Sequence, residues 1–578
     1  MISFLLNVTR AFSNFNYSLS MYSHQEFTFQ EHKESVLPAK AWTLGLLCAV
    51  WMATGLIGHD PWKSIDAYGF ALVYHIVQSG DWLVPTLAGQ PDMDNPPLFY
   101  MTAALLAKLF SPLLSLHDGA RLASGLYTSI TLIFVGLTGR ELFGTGRGWA
   151  AVIILIGCLG LLVHAHELFS ELALLAGCAI MLFGYAKSLR YPLVAGIALG
   201  CGVGIGFMSN DFTALVLFLI ISATLLIFSA WRTHTYFSSL GIALLCALPW
   251  ILIWPTLLYL RSPELFMVWA WDANIGRWLD FMRRGDFPGL LHYLKTLMWF
   301  AWPALPLAVW AVWRARLKIM QETALQLLLA SFVVMLLVLS FSPNYGEEHA
   351  MPLLLPLALL ACAALSTLRR GAANALNWFG IMTFGLLTIL LWWAWAGLLL
   401  NNRTRVTTLL KDYHPGFEPS VETPAFWIGI IFTVLWMILV WRVRRSMRRA
   451  VVNWAAGVTL VWVLVMTIWL PWLDTGKSYR SVFTSLKHAL PVQHQCVASQ
   501  HIGDTQRVML QYFGGINTLN QAQNVCDLLV IQGEPLQLSK NGAEWIKLWE
   551  ARRPGTRPEH YYLYQRSKQA VLKDTSNN

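Results

Sequence analysis

The sequence predicts a polytopic α-helical membrane protein carrying a small α/β domain at its C-terminal end. Three observations lead there. Hydrophobic residues make up 56% of the 578 residues, charged residues only 12%, and the mean hydropathy is +0.51; ordinary soluble domains are about 25% charged. Apolar runs of about 17–25 residues, long enough to cross a hydrocarbon core about 30 Å thick, recur as far as residue 471. Beyond it the composition becomes that of a soluble domain. In lipid each backbone polar group must be paired within its own segment, so the spans are helices.

The spans read as 42–58, 119–139, 148–164, 168–186, 192–208, 212–230, 237–259, 292–312, 324–341, 350–367, 376–399, 425–441 and 452–471, about thirteen in all. The formal charge of +10 does not point to nucleic acid, because the basic residues are dispersed among short loops. Arg140, Arg147, Lys187, Arg190, Arg232, Arg314, Arg316, Lys318, Arg369, Arg370 and the 442–449 cluster fall on one side. The loops 164–171, 208–211 and 342–349 on the other side contain no Lys or Arg. The basic side is cytoplasmic by the positive-inside rule, which places the N-terminus inside and the C-terminus outside. The chain then divides into a cytoplasmic N-terminal segment (1–41), a membrane domain (42–471) with a first outer loop at 59–118, and a periplasmic α/β domain (472–578). The first segment shows no cleavage-site pattern ahead of a short apolar core, so no removed leader is expected.

Six of the eight cysteines, Cys48, Cys158, Cys178, Cys201, Cys246 and Cys362, lie in apolar spans and read as small buried hydrophobes. Cys496 and Cys526 lie in the polar C-terminal segment, and in an oxidising periplasm that pair is expected to form one disulfide.

The long first outer loop is the stretch around which the chain is organised. Its pieces AYGFALVYHIVQ (67–78) and PLFYMTAALLAKLF (97–110) are amphipathic enough to lie along the membrane and roof a cavity. At 164–171, HAHELFSE, a continuing helix would put Glu167 and Glu171 on one face. Glu171 opens an apolar run, so it reads as facing the bundle, where a carboxylate is a site candidate. His164 and His166, two apart, would splay on a helix, and a solvated pair is the simpler reading than a metal site. The outer segment 261–292 supplies Asp272, Arg277, Arg283 and Arg284; guanidinium forks suit a lipid-linked phosphate, and anchoring to headgroups is the plainer alternative. NYGEEH (344–349) puts two carboxylates and His349 at the mouth of a span beginning MPLLLP. In the C-terminal domain SYRSVFTSLKHAL reads as a helix, and CVASQHI, RVMLQYFG, CDLLVIQG and YYLYQRS as strands. No Gly-rich phosphate loop, CxxC or HExxH is present.

These motifs carry a resemblance. PWK and DAY in the first outer loop, GDWLVPTLAGQP, NPPLFY, then ARLAS, GIGFMSN, AWPALPL and MPLLLP resemble the C-type (GT-C) membrane glycosyltransferases, in the bacterial protein O-mannosyltransferase and lipid A aminoarabinose transferase group, glycosyltransferase 39/83-like. The resemblance extends over nearly the whole chain. It implies transfer of a sugar, usually with inversion, from a polyprenyl-phosphate donor to a lipid, glycan or protein acceptor at the outer face of the inner membrane. The implied partners are that donor, its acceptor and membrane lipids, with no nucleotide and no nucleic acid. The chain departs from the family at several functional positions. Ile65-Asp66 stands where the family has Asp-Glu, Asn95 replaces a lysine before Pro-Pro-Leu, and Glu171 replaces an Asp. Asn210-Asp211 replaces Lys-Gly, and His349 stands near the usual Tyr.

The resemblance then implies Asp66 and Glu171 as catalytic carboxylates, with Asn95, Arg277, Arg283 and His349 toward the donor phosphate. No organic cofactor is implied. With two lysines lost and an acid gained, Asp66, Glu171 and Asp211 could instead recruit a divalent cation through oxygen ligands. Two readings of different class remain: an active transferase with a rebuilt site, or a non-catalytic relative that binds a lipid-linked glycan or partners an active enzyme. A transporter would show an internal repeat and broken helices at the midplane; the polar clusters here lie at the outer ends.

Overall fold

The computed structural model describes residues 37–567, apart from 38, 286–288, 344–345, 366, 403, 415–416, 421, 443–448, 521–524, 537–544 and 555–558. The cytoplasmic segment expected at 1–41 therefore lies almost entirely outside the described residues, as does most of the basic 442–449 cluster.

The protein is a multi-pass α-helical membrane protein. Among the described residues six helices are long and apolar enough to cross a membrane: Leu116–Phe143, Pro192–Ser209, His234–Arg261, Thr323–Ser340, Arg370–Leu399 and Thr423–Arg442. Two further apolar stretches are bent pairs, Gly289–Phe300 with Ala304–Ala315 at 103° and Arg449–Val465 with Leu470–Lys477 at 67°. The span expected at 292–312 is thus broken where Pro303, lacking an N–H, interrupts the helical ladder. The span expected at 148–164 is divided into Gly148–Ile156 and Leu159–His164. Segment 261–292 is helical for most of its length, as Pro263–Met267, a π-turn at Val268–Ile275, and Gly276–Arg284. The two amphipathic pieces of the first outer loop form helices Ile65–Ser79 and Leu98–Phe110, joined through a small hairpin of β1 (Thr86–Leu87) and β2 (Gln90–Pro91).

Close helix packing in the membrane domain rests on glycine. A Cβ on Gly196, Gly200 or Gly204 of Pro192–Ser209 would meet Ile242, Cys246 and Trp250 of His234–Arg261 at 2.5, 2.5 and 2.2 Å. Gly202 on another face lies against Gly177 of Glu171–Lys187, where an added Cβ would sit 2.7 Å from the carbonyl oxygen. Without a hydrophobic drive between helices in lipid, such small-residue approach supplies the contact. It also fixes two ends. The helix beginning at Glu171 and the helix ending at Ser209 run back to back, so Glu171 and Asp211 emerge at the same mouth.

The C-terminal domain has a five-stranded sheet of order β4-β3-β5-β7-β6, from β3 (Val497–Gln500), β4 (Thr518–Asn520), β5 (Leu528–Gln532), β6 (Trp545–Arg553) and β7 (Glu559–Arg566). β3 runs parallel to β4 and β5, and β7 is antiparallel to β5 and β6. A disulfide joins Cys496 and Cys526 immediately before the parallel strands β3 and β5. RVMLQYFG, expected as a strand, belongs to helix Asp504–Gly514. Asp504 favours its N-terminal turn, and Gly515 at φ +70° closes its C-terminus.

The first outer loop is held by one buried guanidinium. Arg121, 1% exposed, donates from Nε to both oxygens of Asp66 at 3.3 Å, from Nη1 to Asp118 at 3.0 Å, and from Nη2 to the His59 carbonyl at 2.7 Å. Asp66 also accepts from the backbone N–H groups of Trp62 at 3.0 Å and Leu168 at 2.8 Å. Burial alone would raise the Asp66 carboxyl, but Arg121 and these N–H donors hold it below the ordinary carboxylate range. The C-terminal domain docks on the same loop. Asp60 accepts from Ser478 at 2.7 Å and pairs with Arg480, Trp62 donates to Asp474 at 2.6 Å, and Lys63 pairs with Glu559.

Replacing Arg121 by Met would leave Asp66 and Asp118 buried without their cation, an expected loss of about 3–5 kcal/mol. Thermal unfolding of the full chain in mild detergent measures it, and an unchanged midpoint would remove Arg121 from this role.

Candidate functional site

A cavity of about 220 Å³ opens at the mouth where the Glu171 and Ser209 helix ends meet. Its polar lining comes from five parts of the chain: Tyr68, Asp94 and Asn95 of the first outer loop, Glu171, the Asn210–Thr213 turn, Asn274 with Arg277, and Ser342 with His349. Each enters from a helix end or turn, where the backbone of the spans gives way to polar sequence.

Glu171 is the most firmly set of these groups. It is the first residue of its helix and 4% exposed, and the helix N-terminus favours its charge. Oε1 lies 3.1 Å from His349 Nδ1, and Oε2 accepts from the Ser170 hydroxyl at 3.1 Å. Burial disfavours a charged His349, but the hydrogen bond and charge of Glu171, with Glu348 and Asp211 nearby, raise it above the ordinary imidazole value. Asp211 Oδ1 accepts from the Thr213 N–H at 2.7 Å. Burial first, then the charge of Glu171, pushes its carboxyl above the ordinary range. At the rim Arg277 Nη2 pairs with Asp94 Oδ1 at 2.8 Å. The Tyr68 hydroxyl donates to Asp92 Oδ2 at 2.7 Å. The cavity therefore holds carboxylates that can take a proton and two cations that can face an anion.

The structure brings together Glu171, Asp211, Asn95, Arg277 and His349. It does not bring Asp66 with them. That carboxylate is 1% exposed, its oxygens are occupied by Arg121 and two backbone N–H groups, and it does not line the cavity. The expectation that Asp66 faces a substrate is corrected accordingly. Its direct link is to Leu168, three residues before Glu171, so it acts on the cavity through the chain. Arg283, 82% exposed and 3.7 Å from Asp280, likewise lies outside the cavity lining.

The divalent-cation arrangement of Asp66, Glu171 and Asp211 is not assembled, because Arg121 claims the first of the three. Among the described residues no group of three or more His, Cys, Asp or Glu is disposed to hold a metal ion. The pairing of Glu167 with Glu171 on one helical face also fails, since the chain turns between them and Glu167 pairs with His164 at 3.0 Å. His166 is buried, 2.9 Å from the Trp51 carbonyl, instead of solvated.

Sequence reasoning did not single out Tyr68, Asp94 or Asn274. Tyr68 closes the DAY motif and Asp94 lies three residues beyond GDWLVPTLAGQP, and those motifs are the available signals; Asn274 sits on a π-turn that sequence pattern does not reveal.

Comparison with known proteins supplies the wider context. The family model described as dolichyl-phosphate-mannose-protein mannosyltransferase matches residues 94–254. The undecaprenyl phosphate-alpha-4-amino-4-deoxy-L-arabinose arabinosyl transferase 2 of Pseudomonas fluorescens strain Pf0-1 is 25% identical over 371 residues, 61% of this chain and 65% of that protein. Its counterpart in Pseudomonas aeruginosa strain UCBPP-PA14 is 25% identical over 60% of this chain and 64% of its own length. The chain thus spans just under two thirds of these curated relatives. Among solved structures, ArnT from Cupriavidus metallidurans bound to undecaprenyl phosphate matches with a TM-score of 0.64 at 14% identity, covering 91% of this chain and 98% of that one. Its apo form matches at 0.63. Sequence match, relatives and fold converge on one likeness: the chain resembles the ArnT-like and protein mannosyltransferase-like transferases, and it shares the fold of ArnT.

Proposed function

We propose that the protein moves a sugar from a polyprenyl-phosphate carrier to a lipid or glycan acceptor at the outer face of a bacterial inner membrane. The observation that carries this reading is the paired Glu171 and His349 facing a cavity shared with Asp211 and Arg277. In such a transfer the acceptor oxygen bonds to the anomeric carbon, the bond from that carbon to the phosphate oxygen breaks, and the acceptor loses a proton. Asp211, its carboxyl raised, is the proton acceptor; Glu171 keeps His349 protonated and orients it. His349 and Arg277 face the negative charge that grows on the departing phosphate, with Asn95 as a neutral donor beside them. Asp66 is a positioning residue for the 166–168 connection.

The topology we propose has thirteen spans, the N-terminus in the cytoplasm and the C-terminal domain in the periplasm. The one-sided distribution of Lys and Arg supports it. The locked Asp66 and the missing lysines favour a second reading, a non-catalytic relative that binds lipid-linked glycan, and the same assay separates the two.

Purified protein is offered a panel of undecaprenyl-phosphate sugars with and without added Mg²⁺, Mn²⁺ or Zn²⁺. Asp211→Asn is expected to lower transfer by about 10²–10⁴-fold; wild-type binding without turnover would support the non-catalytic reading. The pH profile gives an independent check. With its folded pKa raised, His349 stays protonated above about 6.5, so its pairing with Glu171 is complete below that value and fades as pH rises through the raised one. Transfer should therefore show an alkaline limb above the ordinary histidine range, and His349→Gln should abolish that limb. A limb that survives the substitution belongs to another group.

A further inference from the structure

A second cavity, about 310 Å³, lies between the first outer loop and the C-terminal domain. Its size falls in the range of small-molecule sites, about 300–1,000 Å³. Tyr74 and Gln78 come from helix Ile65–Ser79, the tip of the β1–β2 hairpin contributes Ala88 and Gly89, and the C-terminal domain adds Gln511 and Asn517.

The chemistry of the lining is neutral and hydrogen-bonding. Arg507 is the one lining residue with a permanent charge, and it is already committed: Nη1 pairs with Asp504 at 3.0 Å, Nε donates to the Thr518 hydroxyl at 3.2 Å and Nη2 to the Thr518 carbonyl at 3.0 Å. His75 also lines the cavity, and burial lowers it below its ordinary value, toward the neutral form. Its Nδ1 is buried with no hydrogen-bond partner among the described residues. Gln78, Gln511 and Asn517 present carboxamides, each able to donate and accept, as a hydroxyl group does. Tyr74, packed edge-on against Tyr512 at 5.3 Å, gives an aromatic wall. A phosphate would find no uncommitted cation here, and an apolar chain would strand the amides.

The cavity and the Glu171 site share two elements, helix Ile65–Ser79 and the loop that carries the hairpin. Tyr68 lines the first cavity and His75 the second on the same helix, seven residues or about 10 Å apart along the axis. The same hairpin loop turns Ala88 and Gly89 to one cavity and Asp94 and Asn95 to the other.

We propose that this second cavity binds a neutral saccharide portion of the acceptor, holding it so that its free hydroxyl reaches the Glu171 cavity. The inference rests on the transferase reading and names the acceptor chemistry for it. The C-terminal domain then contributes half of an acceptor site.

The test uses the full chain in mild detergent, with saturation-transfer NMR against a panel of short neutral oligosaccharides and, in parallel, short uncharged peptides. At least one oligosaccharide is expected to bind. The double variant Gln511→Ala with Asn517→Ala should weaken it about tenfold or more, and Gln78→Trp should block it by filling the space. Undecaprenyl phosphate binding should be unchanged in both variants. Failure of every oligosaccharide to bind, binding that survives both variants, or preference for the peptides would overturn the proposal. Release of sugar from an undecaprenyl-phosphate sugar without acceptor reads the transferase reaction separately. Turnover in a protein whose saccharide binding is absent or ignores the cavity variants overturns the saccharide site alone. Saccharide binding that the variants remove, in a protein without turnover, overturns the transferase reading and leaves the site.

Discussion

The buried guanidinium of Arg121 is the constraint on which the 59–118 loop and the C-terminal domain docked on it depend. Its donors reach Asp66, Asp118 and the His59 carbonyl, so one side chain fixes the start of the first outer loop, the helix beneath it and, through Asp66, the 166–168 connection. A charge so enclosed is tolerated because it is fully paired and hydrogen-bonded. Removing the pairing would not simply subtract one contact. It would free the loop that carries Tyr68, Asp94 and Asn95, and would undercut Asp60 and Trp62, on which the C-terminal domain sits.

Glycine packing is the second constraint, and it acts on the other wall of the same cavity. Because Gly177 and Gly202 allow backbone against backbone, Glu171 and Asp211 are brought together from helices that run in opposite directions. The cavity is therefore the meeting place of a polar clamp in the outer loop and a close-packed helix pair in the membrane. Neither element contains the chemistry alone: Asn95 and Tyr68 come with the first, Glu171 and Asp211 with the second.

Legibility in the sequence follows from which of these forces is one-dimensional. Burial in lipid is, so the apolar runs, the two outer-loop helices and the change of composition after 471 could be read directly. Glu171, Asp211 and His349 could be found for the same reason, since polar residues at the ends of apolar runs stand out. Tertiary partners are not one-dimensional. Asp66 carries the motif resemblance, yet Arg121, 55 positions away, decides that its oxygens are taken. Arg283 and Arg277 look alike in sequence, and only the winding of segment Val268–Arg284 turns one to the cavity and the other to solvent. The short apolar run RVMLQYFG fits either period, so a strand is expected where helix Asp504–Gly514 forms; its flanking Asp504 and Gly515 are the better guide.

The cavity's two cations, Arg277 and His349, hold their charge in different ways. Arg277 is a cation throughout the physiological range, whereas His349 is one only while Glu171 sustains it. The two residues are thereby coupled: a proton lost from His349 removes a cation and leaves Glu171 unpaired in a half-enclosed space, so deprotonation is disfavoured from both sides. Asp211 lies within reach of the same field, and the charge on Glu171 that holds a proton on His349 also makes Asp211 a stronger proton acceptor. One carboxylate thus raises both His349 and Asp211, the directions that the proposed transfer asks of a group facing the departing phosphate and of a proton acceptor. Glu171, fixed by its helix N-terminus and by Ser170, is the residue through which this cavity is organised.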